Sequence, residues 1–310
     1  MVKVTVTKAS TQLTGGKPSF ITRKLKITLT LASGTFTGTT SSSTVLQGFR
    51  ASARITKAGG PVQGMLDLQV WGMRQSVMDD LSTLGMRVNL LPRNTVTVEA
   101  GDDVDGYGTV FVGTTINCWG DYGQAPEVPF RVEGQTGAFG AALNSAALST
   151  SGVTDVTTAL SGIANVLGLR FENNGVSSKL PASYYFGSPR DQALAIVQDA
   201  GINWNGGDDG VLAIWPANGA RGGAIPFISP TTGLIGYPTY TANGIEIRVI
   251  FNPSITLGAQ IQVQSSLKAA TKIWNVYAID HSLDALLPGG LWESRIACLP
   301  PGIGPVLPPF

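Results

Sequence analysis

The most chemically suggestive segment of the sequence is Asp280-His281-Ser282-Leu283-Asp284, which holds the only histidine. Serine, histidine and aspartate can form a hydrolytic triad, but the triad needs its nucleophile on a strained turn such as Gly-x-Ser-x-Gly. No such motif occurs in the sequence. We therefore expect His281 to lie at the end of a central strand and to hydrogen-bond a neighbour. The chain is predicted to have no catalytic residues and not to be an enzyme.

The acidic run Gly101-Asp102-Asp103-Val104-Asp105-Gly106 invites comparison with a calcium loop. In the helix–loop–helix calcium pattern, acids alternate ahead of a glycine and a glutamate follows six residues later. Here Gly101 stands where the first acid belongs, and Val112 stands where the glutamate belongs. The run therefore predicts an acidic β-turn, as do Asp208 and Asp209 among their glycines. No metal site is predicted.

Two glycine-rich segments resemble nucleotide-binding loops only in part. In Gly15-Gly16-Lys17-Pro18, proline replaces the magnesium-binding Ser or Thr, and Thr11 stands where the first glycine belongs. Gly106-Tyr107-Gly108 follows a turn rather than a strand that leads into a helix. No cofactor is predicted.

Sugar chemistry is harder to exclude, because a glycosidase carboxylate pair has no local signature. Tryptophans can also serve as sugar platforms, and the chain has six of them: Trp71, Trp119, Trp204, Trp215, Trp274 and Trp292. They are scattered among apolar runs, so we expect them to fill cores or subunit interfaces.

The composition favours a β-rich subunit of an assembly. The 310-residue chain is 43% hydrophobic and only 13% charged, with 39 glycines and a net charge of +1. An assembly subunit needs less surface charge than a monomer does. The most basic cluster is Arg23, Lys24 and Lys26. It is too small to bind nucleic acid by charge, so a nucleic-acid-binding function is not predicted. No run reaches the roughly 20 apolar residues that span a bilayer, and no signal peptide is recognised.

Two distant cysteines, Cys118 and Cys298, are too few for a disulfide framework. We expect free thiols, with a long-range bridge as the alternative.

The first part of the chain, residues 1–125, reads as strands. Alternation predicts strands at 24–31, 49–56, 65–71, 95–100 and 107–119. A glycine turn joins the second and third strands as a hairpin. A short helix is expected from Ser76 to Leu84, with Ser76 as N-cap and Gly85 as its end. This order predicts a small antiparallel barrel or sandwich.

Residues 126–225 change character and predict an α+β insertion. One helix is expected from about Thr154 to Leu167. A second begins at Ser188-Pro189, with an acid three residues after the cap, and stops at Gly201. A β-hairpin is predicted next, because Trp204 and the apolar run 211–215 lie on either side of the glycine-rich segment 206–210.

Residues 226–299 return to strands, with a central strand at 273–279 that is apolar on both faces. Residues 300–310 are a proline-rich extended arm, which either clasps a neighbouring subunit or is disordered.

Three features of the second half form a recognisable pattern: the helix Ser188–Ala200 with its Gly/Asp hairpin, the run Ile228-Ser229-Pro230-Thr231-Thr232-Gly233 with Phe251-Asn252-Pro253 after it, and Val276–Asp284 followed by Trp292. With this pattern, the chain from about residue 150 resembles the baseplate hub proteins of contractile-tailed phages, of the Mu-like and late control protein D types.

The resemblance implies a mainly β fold, with two tail-tube-like antiparallel β-barrels joined by the α+β insertion. It implies a homotrimer in the virion tail baseplate, made in the host cytoplasm. This trimer would join the six-fold tail tube to the three-fold central spike. Its partners would be the tube, spike, tape measure and other baseplate proteins, and genome DNA would pass its lumen without specific binding. No stable membrane association is expected. The alternative is a tail-associated glycan-binding or polysaccharide-depolymerising protein.

Overall fold

The computed structural model of the chain describes residues 22–59, 62–83, 94–143 and 145–303. The glycine-rich segment at 15–18 and most of the proline-rich arm therefore lie outside the described residues.

The first part of the chain is built mainly from strands. These are β1 (Lys24–Thr30), β2 (Ser43–Gln47), β3 (Ala51–Lys57), β4 (Met65–Trp71), β5 (Thr95–Asp102), β6 (Gly106–Gly120) and β7 (Pro129–Gln135). The alternation in β1 is confirmed, because Leu25, Ile27 and Leu29 are buried. β3 and β4 form the expected antiparallel hairpin.

The short helix α1 (Gln75–Leu81) differs from its prediction at the start. Its N-cap is Arg74, which makes no side-chain capping bond, so the N-cap expected at Ser76 is wrong. The helix is followed by Ser82 in extended backbone. The ends expected at Leu84 and Gly85 lie outside the described residues.

The middle part forms a compact unit of helices and short strands. Its helices are α2 (Ala138–Ala142), α3 (Val156–Leu167) and α4 (Pro189–Ala200). Its strands are β8 (Leu148–Thr150), β9 (Thr154–Asp155), β10 (Arg170–Asn173), β11 (Lys179–Leu180), β12 (Ser183–Tyr185), β13 (Ile202–Gly206) and β14 (Val211–Pro216). We call residues 138–216 the middle module. None of the described helices is long and apolar enough to cross a membrane.

Local signals set both long helices of the middle module. For α4, the predicted capping box is confirmed: Ser188 Oγ accepts the Asp191 N–H, and the Asp191 carboxylate accepts the Ser188 N–H. The helix ends at Gly201 in the left-handed region, as expected. α3 begins two residues later than predicted, because Thr154 and Asp155 pair with β11 instead. The β13–β14 hairpin is confirmed.

The last part of the chain returns to strands: β15 (Phe227–Ile228), β16 (Leu234–Thr241), β17 (Gly244–Ile250), β18 (Gln260–Val263), β19 (Lys272–Ala285) and β20 (Trp292–Leu299). β19 is central, as predicted, but it runs well past residue 279. His281 therefore lies inside this strand, and its expected place at a strand end is wrong. Ile273 is 39% exposed, so β19 is not buried on both faces.

Strands from both ends of the chain form one sheet of 13 strands. Its order is β16-β17-β20-β19-β3-β4-β7-β6-β5-β1-β2, with β18 attached to β19 and β15 to β18. The two halves meet where β3 and β19 pair antiparallel, from Ala51 opposite Ala285 to Lys57 opposite Ile279. We call β1–β7 with α1 the first lobe, β15–β20 the second lobe, and the β3–β19 pairing the lobe joint.

The two lobes repeat one strand arrangement. In chain order, β1, β3, β4, β5, β6 and β7 of the first lobe correspond to β15, β16, β17, β18, β19 and β20 of the second. Each lobe has an early hairpin and one long strand that pairs first with the strand before it and then with the strand after it. The repeat departs at its rim, because β15 pairs parallel with β18 whereas β1 pairs antiparallel with β5.

Each part has its own hydrophobic core. The first-lobe core is built on Phe111, Phe130 and the inward residues of β1, and also takes in Phe251, Leu283 and Trp292 from the second lobe. The second-lobe core centres on Trp274 and the inward residues of β17 and β20. The middle module packs α3 and α4 against β13 and β14. Period-two alternation in the lobes and a helical stripe in the module supply these apolar faces.

Candidate functional site

The single histidine is part of the packed interior. His281 is 4% exposed, and its Nδ1 lies 2.8 Å from Ser294 Oγ on the neighbouring strand β20. Its ring meets Phe251 edge-on, with 5.6 Å between centroids. Burial, with a smaller contribution from Lys57, holds the pKa of His281 well below its usual value. The expected hydrogen bond is confirmed, and a neutral, covered imidazole of this kind has no access to substrate.

The acidic run at 101–106 forms the expected turn between β5 and β6. Asp102 Oδ1 accepts the N–H groups of Val104 and Asp105, each at 2.7 Å. Asp103 pairs with Lys24 on β1. Within the described ranges, no cluster of three or more histidine, cysteine or acidic side chains could hold a metal ion.

The expected turn at Asp208 and Asp209 is confirmed, since Gly210 donates its N–H to the Gly207 carbonyl at 3.0 Å, but Asp208 is also a buried anchor. It is 4% exposed and faces the buried ammonium of Lys57 on β3. Burial raises the pKa of Asp208 and lowers the pKa of Lys57, while their mutual attraction opposes both shifts. The Asp208 carbonyl also accepts the N–H of Val112 on β6 at 3.2 Å. The hairpin turn thus holds the middle module against the first lobe.

Asp209 joins a second ion network beside this anchor. Arg221 donates from Nη1 to Asp209 Oδ2 at 2.8 Å, and from Nε and Nη2 to the Glu172 carboxylate at 2.9 and 3.0 Å. Burial opposes the charged guanidinium, but these bonds outweigh it and raise the pKa of Arg221. Its bond to Glu172 lowers the pKa of that carboxyl. The network fixes the segment that leads from the middle module to the second lobe.

Trp215 on β14 holds the middle module against the second lobe. A Cβ atom on Gly258 would lie 2.4 Å from the Trp215 ring, so only glycine permits this contact. Gly258 also has a φ of +82°, which favours glycine for a second reason. Its carbonyl accepts the Arg221 N–H at 2.7 Å. The module is therefore tied to both lobes.

A continuous polar face runs across the lobe joint. Residues directly opposite each other in paired strands project to the same side of a sheet. The register aligns Arg248, Arg295 and Asp280 in one row, and Glu293, Ser282, Arg54, Asp67 and Glu133 in the next. The opposite side of the same strands carries the two lobe cores.

The polar face is charged but largely self-compensated. Arg54 binds the Asp284 carboxylate at 2.7 and 3.0 Å, and Arg248 binds Glu293 at 2.8 and 2.9 Å. The charged members on β3, β4, β7, β17, β19 and β20 are four arginines and six carboxylates, a net charge of −2: Arg54, Arg131, Arg248, Arg295, Asp67, Glu133, Glu246, Asp280, Asp284 and Glu293. This face can form a water-filled wall that does not attract phosphates.

Part of the pattern that carried the family resemblance, the runs at 231–233 and 251–253 with Trp292, lines a groove of about 760 Å³ between the lobes. Thr231, Thr232 and Asn252 line it together with Trp292. Asp102 and Asp105 of the first-lobe turn form its opposite side. These segments are far apart in sequence, and the lobe joint brings them together.

The tryptophans and cysteines behave largely as expected. Trp204, Trp215, Trp274 and Trp292 are buried, which confirms their place in cores. Trp71 and Trp119 are half-buried. Both cysteines are buried free thiols, and burial raises the pKa of Cys118 to about 12.

Comparisons with known proteins point to phage tails. A family model described as baseplate hub gp41 matches residues 24–285. The 43 kDa tail protein of prophage MuSo2 from Shewanella oneidensis is 12% identical, with a TM-score of 0.58 over 89% of this chain and 97% of that one. A tail protein from Neisseria meningitidis MC58 is 9% identical, with a TM-score of 0.61 over 90% and 98%.

A component of a type VI secretion system also has a similar fold. The Escherichia coli c3393 protein, a type VI secretion component similar to T4 tail proteins gp27 and gp5, is 10% identical, with a TM-score of 0.56. The similarity covers 84% of this chain and 77% of that one. No curated protein sequence matches the chain significantly.

Proposed function

The chain belongs to the baseplate hub gp41 family, and from that membership we propose that it is the homotrimeric hub of a phage tail. In this role it joins the six-fold tail tube to the three-fold central spike and forms part of the genome-ejection channel. It acts as a structural adaptor, without cofactor or catalysis.

The repeated strand arrangement is the observation that carries this proposal. A chain with two lobes of one design can meet a six-fold tube as a trimer, because three copies present six similar lobes. We propose that each lobe is a tail-tube-like barrel. Since β7 pairs with β4 and β6, we place the end of the first barrel domain after residue 135 rather than at 125. The inserted domain then runs to residue 225 and the second barrel from 226 to 299.

The polar face supports the channel. We assign it to the lumen, where a net charge of −2 per chain lets DNA pass without being held. Three of the four arginines pair with carboxylates on the same face and Arg131 pairs with Asp121 beside it, so their charges are already balanced by neighbours. Tube and spike proteins are the expected axial partners, with the tape measure and other baseplate proteins nearby in the virion.

The first test is the mass of the purified chain by light scattering, with negative-stain class averages of the same peak. A homotrimer that shows a ring with an axial hole and six lobes is the expected result. A closed dimer, or a particle without an axial channel, would contradict the hub and direct the next tests to glycan binding.

A further inference from the structure

The repeat between the lobes extends to single residues of the long strands. β6 shifts register between Thr115 and Asn117, opposite Gly134 and Glu133. β19 shifts between Val276 and Ala278, opposite Cys298 and Ala297. The residue before each bulge donates its N–H to a carbonyl at 2.9 Å, Thr115 to Asn94 and Val276 to Ala259. Residue 118 of β6 therefore corresponds to 279 of β19, and residue 120 to 281.

The lobe joint uses this part of β19. Ile279 lies opposite Lys57, and His281 lies opposite Ile55 of β3. The second-lobe counterpart of β3 is β16, since each is the first strand of the early hairpin. Ile55 lies opposite Leu66 in its hairpin, and Tyr240 lies opposite Ile245 in the other. Tyr240 thus corresponds to Ile55.

The two corresponding residues differ sharply in exposure. Ile55 is 1% exposed because β19 continues the sheet beyond it. Tyr240 shares the inward side with the fully buried Ile245, yet it is 56% exposed. Among the described residues, β16 ends the sheet and no strand covers it. An exposed aromatic side chain beside the unpaired N–H and C=O groups of a strand edge marks a surface on which another strand can pair.

The first lobe offers the matching edge on β6. There Cys118 donates its N–H to Thr83 Oγ1 at 2.9 Å, and its carbonyl accepts the Thr83 N–H at 2.8 Å. Thr83 thus sits where β3 would lie if the joint were repeated. Among the described residues, Thr83 is the residue that bonds this edge, and such a cap protects it in the separate chain.

We infer that β16 of one copy pairs antiparallel with β6 of a second copy and repeats the lobe joint between chains. This inference rests on the proposed homotrimer and identifies its subunit contact. We call the pairing of β16 with β6 of a second copy the seam. By correspondence, Gly120 lies opposite Tyr240 of the partner subunit, and Trp119 lies opposite Thr241 of the partner subunit. The bulge of β16 between Ile235 and Thr239 leaves only its last residues regular, so this seam is shorter than the seven-pair joint within the chain.

Disulfide trapping tests the seam. The double variant Trp119→Cys/Thr241→Cys is oxidised with copper phenanthroline, run on a non-reducing gel and weighed in parallel by light scattering. Directly opposed residues have Cβ atoms about 5 Å apart, within reach of a disulfide after small adjustment. We expect a covalent trimer from the double variant. A mixture of the two single variants should give covalent dimers only, because each chain then makes one link.

The outcomes separate the seam from the hub. A trimer by light scattering that yields no covalent species overturns the seam and leaves the hub proposal standing. A chain that stays monomeric at high concentration overturns both.

A side-chain variant gives a second measurement. Tyr240→Ser should raise the trimer dissociation constant roughly tenfold or more, because it removes an aromatic anchor at the seam. Tyr184→Ser is the matched control, since Tyr184 is 67% exposed but lies on β12 of the middle module. Equal dissociation constants for the two variants would overturn the seam.

Discussion

The two lobes share one strand arrangement but differ in how their edges are covered. In the first lobe, β3 is covered by β19, and residues from the second lobe complete the core. In the second lobe, the corresponding strand β16 ends the sheet formed by the described residues. The same strand edge is thus paired within the chain in the first lobe and left unpaired in the second lobe. An asymmetric unit of this kind suits a ring, because each open edge can be closed by the next copy.

The middle module holds the two lobes by different physical means. Its attachment to the first lobe is polar, through the hydrogen bond from Val112 to the Asp208 carbonyl and the attraction between buried Asp208 and Lys57. Its contact with the second lobe is steric, between Trp215 and Gly258. Variants can therefore weaken each attachment separately.

The largest loss of stability is expected from Leu283→Ala, which removes a side chain from the core that the two lobes share. Leu283 belongs to a second-lobe strand but is fully buried in the first-lobe core. Its truncation should lower the free energy of unfolding by about 3 to 4 kcal/mol, measured by urea denaturation. Leu291→Ala, at a 44% exposed position nearby, is the control and should stay close to wild type. Equal losses would mean that the lobes do not share a core.

The second-lobe attachment can be tested at Gly258. Gly258→Ala combines backbone strain with a clash against Trp215, and should cost about 3 kcal/mol in thermal or urea unfolding. Gly236→Ala is the matched control, since its φ of +70° brings the strain but nothing lies within 4 Å of a Cβ there. That control should cost about 1 kcal/mol. If both variants lose the same stability, the Trp215 contact has no energetic role.

The first-lobe attachment can be tested at Asp208. Asp208→Asn removes the carboxylate that faces Lys57, and should cost about 2 kcal/mol because a buried ammonium loses its counter-charge. Adding Lys57→Met should restore part of the loss, which a double-mutant cycle measures. The surface variant Asp103→Asn should leave the unfolding midpoint near wild type. Additive effects of the two buried substitutions would contradict the coupling.

The smallest effect concerns His281 at the lobe joint. Its pKa is far below the ordinary 6.5 in the folded chain, so the unfolded chain binds the proton first as the pH falls. The contribution of neutral His281 to the free energy of unfolding is therefore fully present above about pH 6.5. Below that pH the free energy of unfolding decreases, by about 1 to 2 kcal/mol at pH 5. Because this is the only histidine, His281→Gln should remove most of the slope between pH 7 and 5, and Asp208→Asn controls for the carboxyl whose pKa burial raises. A slope that persists in this variant would place the titration elsewhere.

Local sequence signals were sufficient for many elements. Period-two alternation predicted β1 and β4, the capping box predicted the start of α4, and Gly201 predicted its end. These signals work because they depend on neighbours within a few residues. The prediction for α1 went wrong at Ser76, since a serine at a helix start need not be its cap.

Other features depended on contacts between distant residues. The aspartates 208 and 209 have the composition of an exposed turn, and only packing against β3 and the link to Arg221 makes them anchors. The position of His281 was missed because β19 is extended by pairing with β3, more than 200 residues earlier in the chain. The lobe repeat has no local signature either, since strand order and bulge position recur while the residues differ.

The sequence by itself determined the alternating faces of strands such as β1 and β4, the limits of α4 and the resemblance to tail hubs, because alternation, capping residues and short motifs act over short distances. The tertiary structure alone decided which strands meet, which charges are buried and which edge stays open. Those outcomes depend on pairing register and on burial, which no short stretch of sequence contains.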